Sequence, residues 1–191
     1  MSHPFRHLGT VNRHRLAVRR HCRKAGIFWQ GLVHDLSKFS PTEFFAGAKY
    51  YQGNRSPNEA ERETLGYSAA WMHHKGRNKH HWEYWRDIDP VTHVYAPVEM
   101  PVRYAAEMFC DRVAASKIYR GNAYRDGDAL SYFERGHAKD LMHPATSALL
   151  SAWLKLLADA GEDAAFSAVR AAVKEEKKSR KQKKKEKKKA E

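Results

Sequence analysis

The sequence predicts an all-α fold, and three observations carry that expectation. Apolar residues recur at spacings of three and four in one segment after another. Capping and stop signals stand at the ends of several of those segments, and no stretch alternates convincingly enough to read as a strand. A chain of 191 residues is long enough for one well-buried core and too short for two comfortable ones. It divides into an N-terminal segment (1–9), a single helical domain (10–173) and a lysine-rich tail (174–191).

The first helix is expected from Thr10 to Lys24, because Val11, His14, Val18, Cys22 and Ala25 form one stripe, which His21 shares. Gly26 interrupts it. Ile27, Phe28, Leu32, Val33 and Leu36 continue as a second helix closing near Lys38, before Ser40 and Pro41, so that His34 and Asp35 fall in its last turns. Ser56-Pro57-Asn58-Glu59 reads as a capping box with proline at the first helical position, opening a helix that runs to about Lys75 and stops at Gly76. His73 and His74 end it. Asn78 to Trp85 is rich in aromatic residues and histidine, and Pro90, Pro97 and Pro101 mark a loop before a helix running to about Tyr119. Asp111 lies on that helix's apolar face with Tyr104, Met108, Ala115 and Ile118, a costly place for a carboxylate unless something neutralises it. Helices follow over 128–137 and Pro144–Ala160, the latter bearing Leu149, Leu150, Trp153, Leu156 and Leu157. After Gly161 a short alanine-rich helix, Ala164 to Val173, leads into a tail with no residue able to join a core, expected as a solvated, frayed helix or a disordered extension.

The net charge of +13 is concentrated at the two ends. Residues 1–24 hold seven basic and no acidic side chains, and residues 174–191 hold eleven basic and four acidic ones, whereas the middle is nearly neutral with 17 basic and 18 acidic. The basic character therefore does not by itself make a nucleic-acid-binding protein. No run of 18 apolar residues and no signal-peptide pattern is present, so a cytoplasmic protein without membrane contact is expected. Two cysteines, Cys22 and Cys110, exclude a disulfide scaffold or a cysteine-based zinc module, while histidine is abundant at twelve copies.

The sharpest local signal is His34-Asp35-Leu36-Ser37-Lys38. Adjacent histidine and aspartate can bind one ion through a ring nitrogen and a carboxylate, and the carboxylate can bridge to a second ion. His14 upstream, His73, His74, His80 and His81 downstream, and Asp111 on an apolar helix face supply further donors.

Those parts, in that order, resemble the HD-domain superfamily of helical metal-dependent phosphohydrolases over roughly residues 10–120, implying an HD-like helical bundle. The wording of "QGLVHDLSKFSPTEF" and "EMFCDRVAASKIY" is also similar to an uncharacterised bacterial and phage family known only as a domain of unknown function. The superfamily pattern implies His14 as first ligand, His34 and Asp35 as the central pair, with Asp35 bridging if two ions bind, and Asp111 as closing carboxylate. His74 and His81 are preferred over His73 and His80 as the middle ligands, and His14 over His21 by family order. Lys38 is implied to face the site and hold a substrate phosphate. The implied activity is hydrolysis of phosphate esters, nucleotides among them, by one or two divalent ions (Mn, Zn, Co, Mg or Fe), whose bound water ionises near neutral pH. Arg77 and Lys79 are further substrate-binding candidates, and Glu83 or a free histidine a proton carrier.

Plainer readings stand beside these. The HD pentapeptide can be a helix-end ion pair, Asp111 a partner of Arg112, Arg103 or Lys38, and His14 a satisfied core histidine. Two other functions use the same residues: a di-iron redox enzyme on the same ligands, and a non-enzymatic module that binds nucleic acid through its basic ends and an exposed patch over 75–82.

Overall fold

Nine α-helices, three short 3-10 turns and one two-stranded hairpin are formed by the described residues, 2–190, of a computed structural model of the chain. Helix α1 (Pro4–Lys24) starts with proline in its first turn, where the missing N–H costs nothing. It takes up most of the predicted N-terminal segment, because the stripe continues backwards through His7 to give a buried face of His7, Thr10, Val11, His14, Val18, His21 and Cys22. Gly26, at φ 77°, turns the chain into α2 (Phe28–Val33).

The second helix is half the predicted length. It stops at His34, and the chain passes through Asp35 in the left-handed region into a 3-10 turn, Leu36–Phe39. Helix α3 (Pro41–Lys49) then begins on Ser40, whose hydroxyl accepts from the Glu43 N–H. The helix expected over 56–75 is two helices, α4 (Pro57–Leu65) and α5 (Ala69–Lys75). Gly66, at φ 80°, ends the first, and the Ser68 hydroxyl caps the second by accepting from Trp71 N–H. Ser56 does cap α4, but accepts from Asn58 N–H, one residue short of the capping-box bond.

The loop after the histidine-rich segment contains an antiparallel hairpin, β1 (Arg86–Ile88) with β2 (Tyr95–Pro97), pairing Asp87 with Ala96. It was invisible as a strand because neither face is deeply buried. Helix α6 (Val102–Arg120) packs against both α1 and the last helix, and Ala105 through Cys110 are all buried, so it is apolar nearly all round at its centre. Helices α7 (Asp128–Arg135) and α8 (Ala138–Leu141) lead to α9 (Pro144–Ala190), which kinks at Gly161 (φ 79°). The core lies between α1, α6 and α9, where Phe109 meets Trp153 and Phe166 edge-on beside Val18, Val113, Leu150, Leu154 and Val169.

The lysine-rich tail continues α9 as an exposed helix, yet not without contact. Glu176 accepts from Val102 N–H (2.9 Å) and Arg103 N–H (3.3 Å), capping α6, and Lys177 donates to Gly26 O (2.8 Å). No helix of the described residues is long and apolar enough to cross a membrane.

Candidate metal centre

The break after α2 positions the site. The guanidinium of Arg15 donates to His34 O (2.9 Å) and Leu32 O (3.2 Å), satisfying carbonyls that the ended helix leaves free. Asp35 adopts φ 55°, ψ 28°, a conformation aspartate tolerates better than most residues. Within one residue the chain thus reverses its curvature, and both the His34 and the Asp35 side chains enter the same buried cleft, at 2 % and 1 % exposure.

Four other segments close on that pair. From α1 comes His14, whose Nε2 lies 2.9 Å from Asp111 Oδ1 of α6 and 3.9 Å from Asp35 Oδ2. His34 Nε2 stands 3.4 Å from Asp35 Oδ2 and 3.6 Å from Asp111 Oδ1. On the other side of the carboxylate, His74 Nε2 of α5 and His80 Nε2 of the following loop lie 3.2 Å and 3.4 Å from Asp35 Oδ1. The result is two four-donor sets, His14/His34/Asp35/Asp111 and Asp35/His74/His80/His81, with a smaller third group, His34/His80/Glu107, between them, each with its ligand atoms within 4.8 Å of one another. Asp35 belongs to both four-donor sets, one oxygen facing each.

Several of these donor atoms make no hydrogen bond. His14 Nε2, His34 Nε2, Asp35 Oδ1, His80 Nε2 and His81 Nε2 are buried atoms without a hydrogen bond among the described residues, although charged neighbours stand close. An orphaned buried polar atom costs about 1–3 kcal/mol, so five converging on one place need something to bind. Histidine nitrogen with carboxylate oxygen suits Zn, Mn, Co or Fe. The residues present fit such an ion.

The opposite edges of the rings are held by carboxylates. His34 Nδ1 donates to Glu107 Oε1 (3.0 Å), and His80 Nδ1 is 3.3 Å from the same oxygen. His74 Nδ1 donates to Glu43 Oε2 and His73 Nδ1 to Glu43 Oε1, both at 2.7 Å. Such contacts fix ring orientation and tautomer, aiming Nε2 at the centre.

The electrostatics leave the acids ionised. Burial would raise Asp35, but His34, Lys38 and His74 hold it well below the usual carboxylate range. Asp111 is likewise held down against burial by His14 and His34, and Glu107 is lowered to about 2 against burial by hydrogen bonds from His34 and His80. Burial depresses His81, with help from His80 and His74, and also depresses His14 against the pull of Asp111. Against burial, Asp35 and other neighbouring acids push His34 up well above its ordinary value, and Asp35 and Glu43 raise His74. Lys38 Nζ sits 2.9 Å from Asp35 Oδ2, with its pKa raised, against burial, by that carboxylate.

The sequence-derived candidates thus separate. His14, His34, Asp35, His74, His81 and Asp111 converge, with Lys38 beside them. His21 does not join them: its Nδ1 donates to Cys110 O (3.2 Å) and its ring packs on Phe166. His73 turns to Glu43, whereas His80, which the sequence reading set below His81, stands in the cluster beside it. Arg77 and Lys79 point to solvent, Arg77 donating to His73 O and Lys79 covering the Tyr84 ring, so neither reaches the centre. Glu83 lies outside the donor sets, its Oε2 buried without a hydrogen bond among the described residues; burial raises its pKa. The 75–82 stretch turns His80 inward and half-buries Trp82, so it offers no continuous exposed aromatic surface.

Glu43 and Glu107 were missed. Ser40-Pro41-Thr42-Glu43 repeats the cap pattern seen at Ser56 and could have revealed α3, and Glu107 precedes Asp111 by four residues, one helical turn along the same face.

A family model, the Family of unknown function (DUF5662), matches residues 3–156, a span that contains every donor named above. No curated protein and no solved structure matches the chain.

Proposed function

The chain belongs to this family of unknown function, and since the family's description assigns no activity, we propose from the geometry that the protein is a metal-dependent hydrolase of phosphate esters with two ions sharing Asp35. The observation that carries this is the pair of four-donor sets meeting at the two oxygens of one buried carboxylate. The order of the donors along the chain, H…HD…HH…D with Lys38 one turn after the central pair, supports it through the resemblance to HD-domain phosphohydrolases.

A divalent ion so held supplies a water that ionises near neutral pH and a positive field for phosphoryl oxygens. The chain's own residues do the rest. Asp35 fixes the spacing of the two sets, and Glu107 and Glu43 lock the rings. Lys38, 30 % exposed and always cationic, faces the open side together with Asp111 and orients the phosphoryl group of an ester.

Elemental mass spectrometry of the purified full-length protein tests the reading. Two equivalents of Mn, Zn, Co or Mg are expected, one lost in His81→Ala and both in Asp35→Ala, with hydrolysis of p-nitrophenyl phosphate falling alongside. A wild-type protein that takes up no metal after incubation with Mn, Fe or Zn would overturn it. So would iron with a visible absorption band and no phosphatase turnover, which would point to redox chemistry.

A further inference from the structure

Helix α2 turns an apolar side to solvent. Its inner side is fixed by packing: Ile27 and Gly31 are buried, and any Cβ at Gly31 would lie 2.6 Å from Cys22 Cβ of α1. The Gln30 amide donates to Arg103 O (3.3 Å) and Glu107 Oε2 (2.7 Å) of α6. At 100° per residue, Phe28, Trp29, Leu32 and Val33 then share the side away from α1 and α6. The 3-10 turn extends this face with Leu36 and Phe39, which stand above one another at a spacing of three.

The face is continuous. Phe28 and Trp29 meet edge-on with ring centroids 5.5 Å apart, and Arg15, which holds the Leu32 and His34 carbonyls, lies 5.0 Å over the Phe39 ring, joining the turn to the helix. Phe28, Trp29, Val33, Leu36 and Phe39 are each 40 % exposed or more, and Trp29 reaches 77 %. The outer side of a surface helix is ordinarily polar, and contiguous exposed apolar side chains mark a contact.

We propose that this face is a peripheral membrane anchor, seated in the headgroup region of a bilayer that carries anionic phospholipids. Such a contact needs no spanning helix.

Charge chooses the occupant. Over residues 1–42 the sequence has eight lysines and arginines and one acid, Asp35, which is buried in the centre. Exposed Arg19 and, one turn on, Arg23 lie along the α1 edge of α2, the Arg19 Cα 3.2 Å from the position of a Gly31 Cβ. At the start of α2, Lys177 donates to Gly26 O (2.8 Å) and the Arg170 side chain passes over the same glycine, so the basic tail of α9 reaches this rim. Tryptophan favours the boundary between headgroups and acyl chains, and arginine and lysine at the rim stay with the lipid phosphates.

Other occupants fit less well. A single-stranded nucleic acid answers the charge, but Val33 and Leu36 offer no ring on which a base can stack. A second copy of the chain would set one cationic rim against another. The hairpin also exposes apolar side chains, Ile88, Val91 and Val94, but beside Asp87 and Asp89, and it serves as the control surface.

The test is co-sedimentation of the full-length protein with vesicles of phosphatidylcholine and phosphatidylglycerol in equal parts, beside vesicles of phosphatidylcholine alone. Binding is expected to the anionic vesicles and to weaken as salt is added. Trp29→Gln with Val33→Gln should lower it about tenfold or more, and Arg19→Gln with Arg23→Gln should lower it and flatten the salt dependence, whereas Val91→Gln leaves it unchanged. These positions are exposed, so the variants keep the wild-type melting temperature. Trp29→Phe should retain binding but lose most of the fluorescence quenching by brominated lipid chains. Wild type that ignores anionic vesicles would overturn the proposal. So would binding that the Trp29 and Val33 substitutions leave intact, which would assign it to the lysine-rich tail. An oligothymidylate held through Trp29 in preference to vesicles, or a dimer seen by light scattering, lost in the double variant and unaccompanied by vesicle binding, would overturn it as well.

Discussion

Around His14, one end of the α1–α6 contact gathers buried ring nitrogens and one carboxylate oxygen, Asp35 Oδ1, that make no hydrogen bond among the described residues. Around His21, two turns along the same face of α1, the equivalent groups are satisfied: Nδ1 donates to Cys110 O, Nε2 faces Lys117 Nζ at 3.4 Å, and Cys22, Cys110 and Phe166 fill the surroundings. The same residue type on the same stripe therefore stands in a candidate donor set in one place and in packing in the other. What separates them is the neighbour: His14 meets acids from α6 and the turn after α2, whereas His21 meets a backbone carbonyl.

The most direct way to break that comparison is to remove each ring. His14→Ala should lose one metal equivalent and lower phosphoester turnover on the order of a hundredfold or more, while His21→Gln keeps both metal content and turnover. Elemental analysis of the two variants side by side checks this; equal metal loss would mean that the two ends are one site.

A second prediction exposes the His21 end through pH. Burial, against the hydrogen bond to Cys110, lowers His21 to about 4 from an unfolded value of 6.5. The unfolded chain therefore binds a proton that the folded one refuses, so the contribution is complete above pH 6.5 and disappears as pH falls towards 4. A shift of that size corresponds to about 3 kcal/mol. Urea unfolding of wild type and His21→Gln between pH 7 and 4 should show the wild type losing about that much more stability. Parallel slopes would show His21 charged or exposed.

The contrast between the two ends also marks how far the sequence could be read. Helical periodicity, the cap at Ser56 and the break at Gly161 point to most helices, and histidine and aspartate at helix faces point to most of the donors. The turn at Asp35 was not legible, because the apolar pattern runs on through Leu36 and a positive φ at an aspartate leaves no trace in periodicity. The split at Gly66 and Ser68 had its stop and cap in plain view, but the longer stripe masked them. Helical spacing favours His81 over His80 only if the helix runs on; the segment is a loop, where neighbouring side chains need not diverge. Glu107 and Glu43 touch ring edges facing away from the centre, contacts that only the packing of α6 and α3 creates.

A third prediction sharpens the comparison inside the centre. Glu107→Gln keeps size and one hydrogen bond but removes the charge that orients His34 and His80, so metal affinity should fall about 10–100-fold with unchanged stoichiometry. Cys110→Ala, three residues on and facing the apolar end, should leave metal affinity unaffected. Competition with a chromophoric chelator reads both; an unchanged affinity in Glu107→Gln would show that the rings are held by packing alone.

The smallest effects belong to the tail, where the same contrast between partnered and solvated groups recurs on one helix. Glu176 accepts two N–H groups at the start of α6, where Pro101 supplies no side-chain cap of its own. Glu176→Ala should therefore cost about 1 kcal/mol, the usual scale of a lost helix cap, and more than a general change of tail charge explains. Lys181, Lys184, Lys185 and Lys188 lie exposed further along, and their joint replacement by glutamine should shift stability by no more than about 0.5 kcal/mol. Thermal unfolding at two salt concentrations separates the cases, because screening weakens a diffuse charge effect and leaves a short backbone cap largely intact. If the lysine replacement cost as much as Glu176→Ala, the tail would contribute through its field and not through its one docked carboxylate.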